Sequence, residues 1–319
     1  MSKYNQEPLT FDALTTVPIA ERGGKVRLEH MGGVHAKGES IAAWLDKLPK
    51  LLAADSLRGV VAAMLAAKKQ QRAMLWGLGG HVIKCGLAPV LIDLMERGYV
   101  SGFVMNGAAS IHDFEIGIAG CTSEDVESVL PDGRFGAAEE TGREMNDAIA
   151  QAQREGIGIG EALGARLDQI VPPENAGACL LLQAWRRNVP VTVHVAVGTD
   201  TPHTHPQADG AAIGAGTHHD FRLFCSLLRE LHGGGVYLNI GSAVILPEVF
   251  LKAVSVVRNL GYPLSDFTTA NFDFFQHYRP RVNVVARPHA QRGGQGYAIT
   301  GHHEILIPLL AALLIESEP

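Results

Sequence analysis

Cysteine is scarce in this chain and widely scattered. Cys85, Cys121, Cys179 and Cys225 are the only four in 319 residues, and none forms a C-x-x-C pair. That spacing argues against a disulfide framework or a cysteine-built zinc site and suits reduced thiols in a cytoplasmic protein. A basic surplus is also missing. Charged residues make up 19% and the net charge is −6, so no broad nucleic-acid surface is expected. Long apolar runs are absent too. The most apolar stretch, ILIPLLAALLI, is about half a membrane span and contains Pro308, so a buried helix is expected and no membrane partner. The opening residues MSKYNQEPLTFDAL hold no apolar core of the kind a secretory leader needs. Neither G-x-G-x-x-G nor H-E-x-x-H occurs; WGLGGHVIKCG has Gly77, Gly79 and Gly80 at the wrong spacing.

What the chain has in quantity is glycine, 36 residues, and histidine, 14. Residues 1–38 read as an irregular arm that wraps the surface or joins a neighbouring subunit, and 39–319 as one α/β unit. Ser56 is placed to cap a helix reaching about Arg72, with Leu57, Val60, Val61, Met64 and Leu65 as its buried stripe. Strands are expected at 73–77, 102–106, 189–197, 236–241, 266–271 and 296–300. Helices are expected at 87–97, 137–155, 159–170, 175–187, 218–231 and 247–260, and from about His302, with Thr122 to Asp125 as a capping box. This βα alternation predicts a Rossmann-like parallel sheet with helices on both faces.

The expected strand ends share small and hydroxyl residues: GLGGH, NGAAS, GTDTP, NIGSA, TTANF and ITGHH. Turns favour such residues on their own account. Six together point to a nucleotide at the carboxyl ends of parallel strands. In SGFVMNGAASIHDFEIG, the charges at Asp113 and Glu115 suit the first turns of a helix, but His112 is also placed to accept a proton and Asp113 to hold a ribose hydroxyl. His194, His203, His205, His218 and His219 lie close together in sequence and leave a metal-dependent hydrolase or lyase as an alternative. Asp209-Gly210 reads as a turn. Arg279, Arg281, Arg287 and Arg292, with His289, would suit carboxylates or phosphates.

The order of elements over about 56–315 resembles the deoxyhypusine synthase family, which has a Rossmann-like NAD-binding sheet and usually forms tetramers. GLGGHVIKCG and FVMNGAASIHDFE fall where that family has its first two ligand loops. LQAWRRNVPVTVHVAVGTD matches its segment ending in Thr-Asp, NIGSAVILPEV its glycine turn, and AITGHHEILIPLL its last strand and helix. Locally, GYVSGFVMNGAASIHDFE is similar to NAD-dependent ornithine cyclodeaminases of the type fused to arginine dihydrolase, which carries over Asn106, His112, Asp113 and Glu115. Both resemblances imply hydride transfer from an amine carbon to NAD.

One departure is decisive. Deoxyhypusine synthase holds its aminobutyl group on a lysine ahead of the last strand. Here that region reads ARPHAQRGGQG, and the last lysine in the chain is Lys252. Leu246-Pro247-Glu248 stands where the family has Lys-His-His. A lysine-linked imine there is impossible. The expectation is therefore an NAD-dependent enzyme that oxidises an amine or amino acid to an imine, followed by elimination, cyclisation or transfer. NAD would lie across Gly79, Gly80, His81, Asn106, Gly107, Ala108, Thr199, Asp200, Gly241, Ser242, Thr269 and His302. His112, Asp113, Glu115 and His289 would do the chemistry, and Arg287, Arg292, His218 and Asp220 would hold the substrate. The partners expected are that small molecule and further copies of the chain, four by family resemblance. A ligand-binding protein of the same fold without catalysis is the remaining alternative.

Overall fold

The structure is a computed structural model, and it describes residues 3–318. Residues 3–40 carry no helix beyond a 3-10 turn at Leu28–His30, and most of their side chains are exposed, Leu9, Phe11, Ile19 and Val34 among them. The first helices are α1 (Ile41–Lys47) and α2 (Leu52–Lys69). Helix α2 begins four residues before Ser56, so the Ser56 hydroxyl does not cap it but donates back to the Leu52 carbonyl. Its buried stripe is Leu57, Val60, Val61, Met64 and Ala67.

Six strands follow: β1 (Met74–Leu78), β2 (Gly102–Asn106), β3 (Val191–His194), β4 (Val236–Ile240), β5 (Thr268–Asp273) and β6 (Gln295–Thr300). All pair in parallel, in the order β3-β2-β1-β4-β5-β6. Strands β1 and β4 are buried along their whole length and, Asn239 apart, read as apolar runs, as strands covered on both faces do. One face carries α3 (Gly80–Lys84), α4 (Ala88–Glu96), α5 (Gly107–Ala119), α9 (Leu180–Arg186) and α12 (His303–Glu316) together with α2. The other carries α10 (Gly210–Arg229) and α11 (Ile245–Asn259). Between α5 and α9 run α6 (Val126–Val129), α7 (Glu139–Glu155) and α8 (Ile159–Ile170). Helix α8 covers the outer edge of β3 so closely that a methyl group on Gly160 would overlap the Val191 carbonyl. Helix α12 is the apolar C-terminal stretch, buried as expected.

Several boundaries differ from the sequence reading, each for a local reason. Strand β3 ends at His194 because the Thr217 hydroxyl takes the next amide, that of Val195. Helix α10 starts at Gly210 because the Asp209 carboxylate accepts from the amides of Ala211 and Ala212; the supposed turn is a helix cap. The segment 175–187 divides into a 3-10 turn at Ala176–Ala178 and α9. Thr122 to Asp125 forms no capping box, and no side chain caps α6. Strand β5 runs on to Asp273, so Thr269 lies at its amino end rather than at its exit.

The helices leave in opposite directions between β1 and β4, the switch point at which such sheets bind ligands. There the backbone of Gly79 lies directly against that of Gly241, whose φ is +66°. A side chain at 79 would overlap the Gly241 carbonyl. Gly79→Ala is therefore expected to cost about 2–3 kcal/mol or to prevent folding, while Gly177→Ala, in open space, should leave the melting temperature nearly unchanged. The Tyr237 hydroxyl is buried without a hydrogen-bond partner, so Tyr237→Phe should melt at the same temperature or higher.

Candidate functional site

At the carboxyl end of β2 the chain turns straight into α5. The Asn106 side chain accepts from the Ala109 amide at 2.9 Å and so caps the helix. Helix α5 thus starts at Gly107, directly at the strand end, and this start decides where its titratable groups point. His112 and Glu115 face outward into a cleft of about 920 Å³. Lys84, Ala108, Thr122, Thr141, Thr199 and Asp200 line it as well.

Asp113 points the other way. It is fully buried and accepts from the amides of Leu180 at 2.8 Å and Leu181 at 2.7 Å, holding the start of α9. Burial pushes its carboxyl up to about 6 against those stabilising amides. Asp113 is therefore a cap inside the protein and does not reach the cleft. Asp220 has the same character. It accepts from Gly160 at 3.1 Å and Val193 at 2.9 Å, tying α8 to β3, and burial raises it to about 7.

Thr122 proves to be the residue that organises the cleft wall. Its hydroxyl donates to Glu115, and its oxygen lies 2.7 Å from His112 Nδ1. Thr141 donates to the other Glu115 oxygen at 3.2 Å. Because the Thr122 proton goes to the carboxylate, its oxygen must accept, so Nδ1 carries the hydrogen and Nε2 the lone pair. Burial lowers the His112 pKa below the ordinary 6.5; Glu115 works against this and Lys84 with it. The ring is thus kept neutral, with an accepting nitrogen at the cleft. Sequence pattern pointed to His112 and Glu115 but read Thr122 only as a helix cap.

Asp200 sits over the first turn of α5, against Gly107. Its Oδ2 is buried without a hydrogen-bond partner, and burial raises its pKa. The cleft lining as a whole carries Glu115, Glu124, Glu140, Glu144 and Asp200, with Lys84 as the one lysine or arginine among the lining residues. Arg143 and Arg166 bind Glu144. The cleft therefore favours a cation.

The structure also brings several expected residues together at the switch point. Gly79, Gly80, Gly241 and Ser242 adjoin there; Gly80 faces Ala108 and His112, and Gly241 faces His303. The rings of His81 and His303 are 5.8 Å apart. His302 packs on Phe274 at 4.6 Å, and Phe274 on Phe275 at 4.7 Å, an exposed aromatic shelf that the sequence reading did not single out.

Other expected site residues lie elsewhere. His289 bonds Thr269 at 2.8 Å and packs on Phe267, at the amino end of β5. Arg292 joins the same end through Asp266, and Arg287 donates to Asn283. These groups were expected at the site because arginine forks suit carboxylates; instead His289 and Arg292 stand at the opposite end of the strands from His112, and Arg287, held by Asn283, does not line the cleft. His218 lies on the outer surface of α10. The histidines of 194–219 do not converge. His194 is buried against Phe224 and Thr192, its pKa pushed down to about 3 by burial, and His205 pairs with Glu139. Among the described residues no three His, Cys, Asp or Glu side chains gather as metal ligands. Nor is any helix among them long and apolar enough to cross a membrane.

The Asp113 carboxyl makes a prediction about pH. Its folded pKa of about 6 lies above the ordinary 3.8, so the folded state holds its proton more tightly. Its contribution to stability is fully present below about pH 4 and is lost as pH rises through 6. Asp113→Asn removes that titration. Urea melts between pH 4 and 7 should show a smaller loss of stability with rising pH in the variant than in the parent.

No protein-family model matches the chain, and no curated protein matches it in sequence. Among solved structures, the fold is similar to that of a conserved LOR/SDH protein from Methanococcus maripaludis S2. The TM-score is 0.50 at 14% identity, over 89% of this chain and 72% of that one. Unliganded AgrE gives a TM-score of 0.50 at 17% identity over 82% of this chain, which spans only 32% of AgrE. A protein described as a deoxyhypusine synthase, from Entamoeba histolytica, gives 0.49 at 11% identity over 90% of this chain and 97% of its own. At these identities the likeness is one of fold, an α/β chain built on a parallel sheet.

Proposed function

We propose that this chain is an NAD-dependent enzyme that oxidises an amine, free or within an amino acid, to an imine. The observation that carries the reading is the Glu115–Thr122–His112 relay. It leaves a neutral imidazole with a free Nε2 in an acidic cleft, at the carboxyl ends of a sheet ordered as dinucleotide-binding sheets are. An acidic cleft attracts an ammonium group. The arginines expected to attract a carboxylate lie away from it, so for an amino acid Lys84 is the counter-charge at hand.

Two features bear on the cofactor. Asp200 holds a buried carboxylate oxygen that lacks a donor, which fits a ribose hydroxyl. The same carboxylate covers the amino end of α5, so a phosphate does not fit there. Phosphate donors remain at the switch point, in His81, the turn at Gly241-Ser242 and the amino end of α12. AgrE, similar in fold over part of its length, forms a ternary complex with ornithine and NAD+.

NAD, when bound, supplies an acceptor for the hydride on the amine-bearing carbon. The chain's own part is proton transfer and orientation. An ammonium group must lose a proton before its carbon can lose hydride, because the nitrogen lone pair becomes the second bond of the imine. His112 Nε2 takes that proton. The imidazolium so formed is held by Thr122, whose hydroxyl passes the influence of Glu115 to Nδ1. The glutamates of the cleft orient the amine, and the imine is left for elimination, cyclisation or transfer.

Millimolar NAD should raise the melting temperature of the folded protein, and NADH absorbance should grow with an amine substrate. His112→Gln should keep the NAD shift and lose about 10²–10⁴ of the turnover. Thr122→Val, which frees Nδ1 from Glu115, should lose less and move the acid limb of the pH profile. In the parent that limb should lie below pH 6.5, since burial lowers His112. A folded protein unshifted by millimolar NAD, or a His112→Gln variant of full activity, would overturn the proposal.

A further inference from the structure

Away from the cleft, on the outer side of α10 and α11, runs a groove of about 570 Å³. His218, His219, Arg222 and Arg229 line one wall, and Val256, Leu260 and Tyr262 the other. No carboxylate lines it. The Arg229 guanidinium lies over the Tyr262 ring at 4.0 Å. Arg222 has no ion-pair partner among the described residues. His218, Arg222 and Arg229 follow at spacings of four and seven residues, so they form one stripe along α10. In a chain of net charge −6, this is a basic and apolar groove with its charges unmatched.

The complementary surface is on the same chain. Between α5 and α7 the segment 122–135 carries Glu124, Asp125, Glu127 and Asp132. Val126 and Leu130 stand one helical turn apart and are 39% and 59% exposed. Asp132 pairs with Arg134, and Glu124 accepts from the Gly136 amide. Asp125 and Glu127 have no ion-pair partner among the described residues. This is an acidic ridge with an apolar crest, and it leaves the sheet on the side of the cleft, whereas the groove belongs to the helices of the other face. Within one chain the two do not meet.

We propose that the acidic segment 122–135 of one copy docks into the α10–α11 groove of a second copy. Val126 and Leu130 would lie against Val256, Leu260 and Tyr262, and Asp125 and Glu127 would meet Arg222 and Arg229. Each copy offers both halves, so two copies docked reciprocally form an isologous pair, and copies docked head to tail form a ring. Thr122, Glu124, Val126 and Phe135 of the segment also wall the cleft, so docking fixes that wall in place. The contact is independent of the reaction proposed for the cleft.

Charge exchange tests it. Sedimentation of the full chain should show an oligomer that weakens with added salt. Arg222→Glu with Arg229→Glu should raise its dissociation constant at least about tenfold, and so should Asp125→Lys with Glu127→Lys. Combining all four substitutions should restore association, which a misfolded variant would not do. A parent that sediments as a single chain, an oligomer indifferent to both pairs of reversals, or a fourfold variant that stays dissociated would each overturn the proposal.

Discussion

Gly79 and Gly241 end the two central strands at the same height, and their backbones touch. From there β1 sends its helices over one face and β4 sends α11 over the other. Neither position has room for a side chain: one would strike the Gly241 carbonyl, the other His303. Because the turns abut, the carboxyl end of the sheet divides into a histidine-flanked junction in the middle and a roomier cleft over β2 and β3. The glycines are required first by the packing of the protein against itself, and only then leave backbone amides near a ligand.

The cleft takes its electrical character from what the fold keeps out of it. Five carboxylates face one lysine there, while Arg292 stands at the amino end of the sheet and Arg287 is held by Asn283, neither of them on the cleft wall. In sequence those arginines lie only a few residues from a strand that ends at the site. What separates them is the course of the chain after β5, which passes through a π-helix at Pro280–Ala286 and returns to the bottom of the sheet before β6 begins. A compact sequence cluster thus became two separate places.

Asp113 and Glu115 show how one turn of helix sorts neighbours. They are two residues apart, so on α5 they point about 200° apart. Glu115 meets two threonine hydroxyls at the cleft, and Asp113 meets two backbone amides in the core. Both carboxylates are satisfied, but only one is where a substrate would be. Asp220 and Asp209 belong with Asp113, since each holds a helix start by accepting backbone amides. Acidic residues that stood out in sequence as candidates for chemistry are in large part the means by which short helices are anchored to strands.

The sequence by itself determined the parallel sheet, the extent of β2, the buried C-terminal helix and the placing of His112 and Glu115 just past a strand end. These follow from local causes: apolar runs too short for helices, the stripe along α2, and the three-residue spacing that puts 112 and 115 on one side of α5. Only the tertiary structure decided the rest. Thr122 joins the relay because the chain after α5 folds back over it, ten residues on from His112. Thr269 leaves the site because β5 runs past the expected end to Asp273, and His289 goes with it because its ring is bonded to the Thr269 hydroxyl. Helix α10 reaches back to Gly210 because Asp209 caps it against the helix-weakening glycines 210, 214 and 216. Residue type and periodicity report which groups are apolar or titratable; which way a titratable group faces depends on where its element begins, and that is set by partners distant in sequence.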